Sequence, residues 1–113
     1  LEHTGNNLNR VQATVHYPER HAGNGDTAIT NDYSDVTTNF HVYSVVWTPQ
    51  ALTFYVDNEP YHVVGNSCAL PFNWNFYIIL NVAMGGDMGG EIASDFNFDT
   101  MEVDYVKVFQ EED

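Results

Sequence analysis

The chain has 113 residues, enough for one hydrophobic core and too few for two, so these residues are expected to form a single domain. Hydrophobic residues make up 43% and aromatics 14%, which excludes a disordered chain except at its ends. Three basic residues against sixteen acidic ones give a formal charge of −13, which repels phosphate backbones and anionic lipid and leaves a neutral ligand such as a carbohydrate, a hard cation, or plain solubility.

The chain opens Leu1-Glu2-His3-Thr4-Gly5, without an initiator Met. A strand is read over Val11 to Tyr17, where Gln12, Thr14 and His16 alternate with Ala13 and Val15. Alternation sends the polar side chains to one face and the apolar ones to the other, the pattern of a strand lining a wet cleft, and Glu2 shares the polar parity. Pro18 to Ser34, rich in Gly, Asn and Asp, reads as a long surface loop.

Phe40 to Trp47 resumes the strand pattern and Thr48-Pro49-Gln50 turns it. Leu52 to Val56 runs back, and Asp57-Asn58-Glu59-Pro60 turns into a third strand, Tyr61 to Val64. Gly65 to Trp74 is irregular. Phe76 to Met84 is the most hydrophobic run and reads as a strand interrupted by Asn81. The glycines at 85, 86, 89 and 90 permit positive φ and close backbone approach to a ligand or a strand, and Met101 to Gln110 reads as the last strand. No segment has a capped helical period, so six short strands joined by turn residues predict an all-β sandwich or barrel.

The lone cysteine, Cys68, excludes an internal disulfide and is expected as a small buried hydrophobe. No stretch has the length of a transmembrane helix. His21, His41 and His62 lack ligand spacing and are expected to be structural or solvent-facing. Trp47 alternates with Val45 and is expected in the core, whereas Trp74, between Asn73 and Asn75, is the better platform for stacking the apolar face of a sugar.

Four pieces occur in order: Phe40-His41-Val42-Tyr43-Ser44-Val45-Val46-Trp47-Thr48-Pro49, Phe54-Tyr55-Val56-Asp57, Pro71-Phe72 with Phe76 to Gly86, and Val103-Asp104-Tyr105-Val106-Lys107-Val108. Together they resemble the C-terminal half of family 16 glycoside hydrolases, most closely laminarinase-type endo-β-1,3-glucanases. The resemblance implies that residues 1–113 are the C-terminal portion of one catalytic domain. Its fold is a β-jelly-roll sandwich of the concanavalin A-like kind, whose concave sheet forms a glycan cleft.

The family signature runs Glu, any residue, Asp, one or two residues, then Glu, and Leu1-Glu2 matches only its end. By this resemblance Glu2 is the acid/base of a retaining hydrolysis of internal β-1,3 or mixed β-1,3/1,4 linkages, in which a second carboxylate roughly 5 Å away is the nucleophile. That nucleophile is expected a few residues before Leu1, on an upstream segment or another chain, so the chain alone is expected to be inactive. Asp26, Asp32, Asp35, Asp87 and Glu91 are loop carboxylates whose ordinary role is turn formation, which makes each a poor substitute.

Gln12, Thr14, His16 and Asn81 match sugar-facing positions of the family, and His3 points away by parity. Asn81 taken without the resemblance reads equally well as a buried amide satisfied by backbone. Asp104 matches a position that holds a structural calcium ion on the convex face; no catalytic cofactor is implied. The expected partner is a β-glucan polysaccharide outside the cell.

A rival reading is a non-catalytic β-glucan-binding module of the same fold, against which the retained Glu2 weighs. A third is an agarase-, carrageenase- or transglycosylase-like specificity, which shares the fold and differs in its cleft loops.

Overall fold

The computed structural model describes residues 1–111. Six strands form two antiparallel sheets of three, so the chain is all-β. The first sheet contains β1 (Glu2–Thr4), β2 (Asn7–Val15) and β3 (Asp26–Ile29), with β2 in the centre. The second contains β4 (Tyr43–Trp47), β5 (Ala51–Val56) and β6 (Glu59–Gly65), with β5 in the centre.

The alternation along β2 decides which side faces inward. Val11, Ala13 and Val15 are buried while Gln12 and Thr14 are half-buried on the opposite side. Val15 meets Leu52 of β5, Val64 of β6 and Phe72, and Tyr17, Phe54 and Leu70 pack around this cluster. The Tyr17 and Phe72 rings meet edge to face at 5.6 Å. The sheets thus share an apolar layer, and the even-numbered face of β2 is left for solvent.

The hairpin turns follow from their residues. Asp57 and Asn58 between β5 and β6 have φ of 50° and 71°, a left-handed pair that Asp and Asn tolerate. Thr48 closes the β4–β5 turn by donating its N–H to the Ala51 carbonyl at 2.9 Å and accepting the Ala51 N–H on its hydroxyl at 3.1 Å. Pro60 is accommodated because β6 is an edge strand.

Several expectations are corrected. The loop over Pro18 to Ser34 contains a turn of 3-10 helix at Ala22–Asn24 and the whole of β3, which exists because its backbone pairs with β2. The strand expected over Val11 to Tyr17 begins at Asn7 and ends at Val15; Tyr17 instead closes a bridge with Arg20. A single helical turn, α1 (Gly86–Gly89), sits in the glycine run. Cys68 is exposed, in the turn after β6.

The largest correction concerns Phe76 to Met84 and Met101 to Gln110, which form no strand. Both carry apolar residues at odd and even positions alike, the pattern of a strand covered on two faces and flanked on two edges. Among the described residues no strand lies beside them, and without a neighbour there is no ladder to form. Tyr77 is accordingly 84% exposed and Phe109 87%.

Candidate active site

Glu2 lies opposite Gln12 in the β1–β2 ladder, and cross-strand partners share a face. The Gln12 amide donates to Glu2 Oε2 at 2.9 Å. Two residues further along β2, Thr14 lies opposite Thr27 of β3, and their hydroxyls are 3.0 Å apart. His16 follows one residue beyond the strand. The row from Gln12 to His16 spans about 13 Å at the usual rise of a strand.

Gly25 closes the far end of this row. A β-carbon there would lie 2.5 Å from the Thr14 methyl and 2.8 Å from the His16 ring, so only glycine lets the chain cross so near both side chains. Glu2, Gln12, Thr14 and His16 therefore share one polar face, as their parity predicts. Thr27 also belongs to the face and was not legible in advance, because nothing marks it within a Gly, Asn and Asp-rich stretch. His3 pairs with Val11 on the other face, and its Nε2 lies 2.8 Å from the Leu8 carbonyl oxygen.

Such a face offers a carboxylate, an amide, two hydroxyls and an imidazole, which donate to and accept from sugar hydroxyls with little net charge. Gln12 is the one hydrogen-bond partner of Glu2 among the described residues. Of the loop carboxylates, Asp26 opens β3 opposite Val15, on the apolar side of the sheet, and lies 3.7 Å from Arg20 and 3.5 Å from His62 Nε2. Asp35 pairs with His41 at 3.5 Å, Asp87 sits in α1, and Asp32 and Glu91 are exposed.

The remaining sequence candidates are not gathered onto this face. Trp74 is 73% exposed and lines an open pocket of about 310 Å³ with Trp47, Thr48, Pro49, Phe72 and Asn73, none of which belongs to the Glu2 row. Trp47 lies opposite Leu52 on the core side of its sheet, yet it is 43% exposed, with the Phe76 ring edge-on to it at 5.5 Å. Asn81 is neither on a strand nor buried: it lies exposed on the segment that lacks a pairing partner. Asp104 is exposed on the second such segment. No group of three or more His, Cys, Asp or Glu side chains is placed to hold a metal among the described residues, and calcium takes six to eight oxygens, so Asp104 does not by itself make a calcium site.

A second polar cluster is structural. The His41 side chain is 7% exposed; its Nδ1 lies 2.6 Å from Asp57 Oδ2 and its Nε2 3.5 Å from Asp35. The bond to Asp57 raises the His41 pKa above its usual value against the opposing effect of burial, and the bond to His41 holds Asp57 below the usual carboxylate range. Burial raises the Tyr43 pKa, and burial with the adjacent Tyr43 pushes Tyr61 up to about 12. His62 is buried with its Nε2 3.2 Å from the Asp26 carbonyl oxygen, and His21 is exposed. Among the described residues no helix is long and apolar enough to cross a membrane.

Comparison with known proteins gives these observations a family. The pattern of Glycosyl hydrolases family 16 matches residues 1–107. The chain is 34% identical to Glucan endo-1,3-beta-glucosidase A1 of Niallia circulans, over 99% of this chain and 19% of that protein. It is 32% identical to Keratan-sulfate endo-1,4-beta-galactosidase of Sphingobacterium multivorum, over 97% of this chain and 27% of the relative. It is 31% identical to Glucan endo-1,3-beta-glucosidase of Cryptopygus antarcticus, over 94% and 46% respectively. The chain thus spans less than half the length of these curated relatives. No solved structure matches it. Two antiparallel sheets, a polar strand face carrying Glu2, and a match over nearly the whole chain lead to one assignment: the chain belongs to glycosyl hydrolase family 16, the jelly-roll glycoside hydrolases.

Proposed function

We propose that this chain is the C-terminal portion of a secreted endo-β-glucanase domain that cuts internal β-1,3 or mixed β-1,3/1,4 linkages, and that Glu2 is its acid/base. The observation that carries the reading is the Glu2–Gln12 pair, in register with Thr14 and His16 on one polar face. In the first step Glu2 protonates the glycosidic oxygen while a second carboxylate attacks the anomeric carbon. In the second step Glu2 takes a proton from the water that releases the glycosyl group. Gln12 donates to Oε2 and so holds the carboxyl group toward the polar face.

The second carboxylate and the strands that complete the sheets come, on this reading, from an upstream segment of the same domain or from another chain. Two features support it: the share of each relative that the chain spans, and the apolar segments 76–84 and 101–110, which have no neighbour to pair with. Gln12, Thr14 and His16 orient the sugar, Asn81 joins them once its segment is paired, and Trp74 is the stacking platform. The names of the glucan-active relatives favour a β-glucan over a galactan. Secretion suits this reading where the polymeric glucan lies outside the cell. A calcium ion at Asp104, with donors from the completing strands, is structural and takes no part in either step.

The test is reconstitution. The chain is mixed with its upstream segment, and reducing ends released from a β-1,3-glucan are counted. Turnover is expected from the pair and not from either part, falling about 10²- to 10⁴-fold in Glu2→Gln. Activity that survives Glu2→Gln sinks the acid/base assignment, and glucan binding without turnover in the pair points to a binding module instead.

A further inference from the structure

Among the described residues, 75–111 are joined to the rest of the chain by only two hydrogen bonds, and both belong to Asn6. Its side-chain amide donates to the Asp87 carbonyl at 2.7 Å and its backbone N–H donates to the Met88 carbonyl at 3.3 Å. Asn6 lies in the turn that ends β1, four residues after Glu2.

The receiving loop is shaped for this contact. Gly85, Gly86 and Gly90 have φ of 68°, 76° and 78°, values that let the carbonyls of 87 and 88 turn toward Asn6 at little steric cost. A β-carbon on Gly90 would lie 2.6 Å from Asn6 Oδ1, and one on Gly5 would collide with the Gly89 carbonyl oxygen. The loop therefore meets the turn closely at two points, backbone against backbone at Gly5 and backbone against the Asn6 side chain at Gly90. The neighbour of these glycines is thus neither a ligand nor a strand but the turn that follows the Glu2 strand.

β1 needs such an anchor. It has three residues, pairs only with β2, and its register shifts between His3 and Thr4. The position of the Glu2 carboxylate against Gln12 depends on that short ladder. We propose that Asn6 is a positioning residue for Glu2, using the Gly85–Gly90 loop as a seat that fixes the β1–β2 turn. This rests on the acid/base reading of Glu2 for its functional meaning, although the anchoring itself does not.

The test uses the whole chain and needs no turnover. Asn6→Asp keeps the shape of the side chain and removes its donor, and Gly90→Ala attacks the same contact from the loop. Hydrogen exchange at the Glu2 and Thr4 amides, which face β2, is expected to rise about tenfold in both variants, the effect of losing roughly one hydrogen bond. The Gln12 side-chain amide protons should move toward the shifts of a solvated amide, while β4 to β6 keep their protection. Asn97→Asp, whose amide donates only to the Asp95 carbonyl, serves as the control. Unchanged β1 exchange, or an equal rise across β4 to β6, overturns the proposal. If the anchor holds and activity survives Glu2→Gln, the acid/base reading fails and the anchor stands.

Discussion

Replacing Asp57 with Asn tests the polar cluster that pins the connection between the two sheets. Asn keeps the size of the side chain, tolerates the positive φ of 50°, and can still accept the Val42 N–H on Oδ1, a contact of 2.8 Å. What it removes is the charge facing His41 at 2.6 Å. A charge-assisted bond of this kind is worth about 1.5–3 kcal/mol, and solvent reaching Asp57, which is 44% exposed, brings the expectation down to about 1 kcal/mol. The sign with pH follows from the two partners. His41 is raised above 6.5 in the fold, so its contribution is complete below 6.5 and fades as pH rises through its higher folded value. Asp57 is lowered from 3.8, so its contribution is present above 3.8 and fades as pH falls through its lower folded value. Tyr33 and Tyr43 also face the His41 ring, and Asp35 reinforces the effect of Asp57. Urea unfolding of the wild type and of Asp57→Asn should differ most near pH 5 and converge as pH rises through the raised folded value of His41. A difference that is flat with pH, or that grows above pH 8, refutes the reasoning.

Three shorter predictions accompany it. Thr30 is buried and its hydroxyl accepts the Val11 N–H at 3.0 Å, so Thr30→Val strands a buried donor and should cost about 1–3 kcal/mol in urea unfolding; an unchanged midpoint counts against this. Trp74→Ala should alter stability by less than about 0.5 kcal/mol yet weaken β-1,3-oligosaccharide affinity of the reconstituted enzyme roughly 2- to 10-fold by calorimetry. Equal affinity removes Trp74 from the sugar site. Calcium should raise the melting temperature of the reconstituted domain, and Asp104→Asn should abolish that rise; a rise that persists in the variant excludes Asp104 as a ligand.

The sequence was most readable where neighbours in space are neighbours in sequence. β4, β5 and β6 are joined by two tight turns whose residues, Thr48-Pro49-Gln50 and Asp57-Asn58, declare themselves, and the strand pattern on either side is clear. The face shared by Glu2, Gln12, Thr14 and His16 was legible because parity is a local property of a strand. β1 and β3 were not, since three or four residues carry too little pattern and both are strands only through their pairing with β2. Phe76 to Met84 failed in the opposite direction. Its composition is that of a buried strand, but composition cannot name a partner, and a strand requires one. The Asn6 anchor joins positions 81 apart in sequence and left no local signal beyond the glycines themselves.

The open apolar segments sit on a chain with an excess of thirteen negative charges. On a lone chain two surface forces would then oppose one another, mutual repulsion holding copies apart while the open segments favour adhesion. Such repulsion has a range of about 8 Å at physiological ionic strength and about 3 Å at 1 M salt. Raising the salt brings the sticky surfaces within reach of one another, and a protocol that relies on salt to suppress adhesion would promote it here.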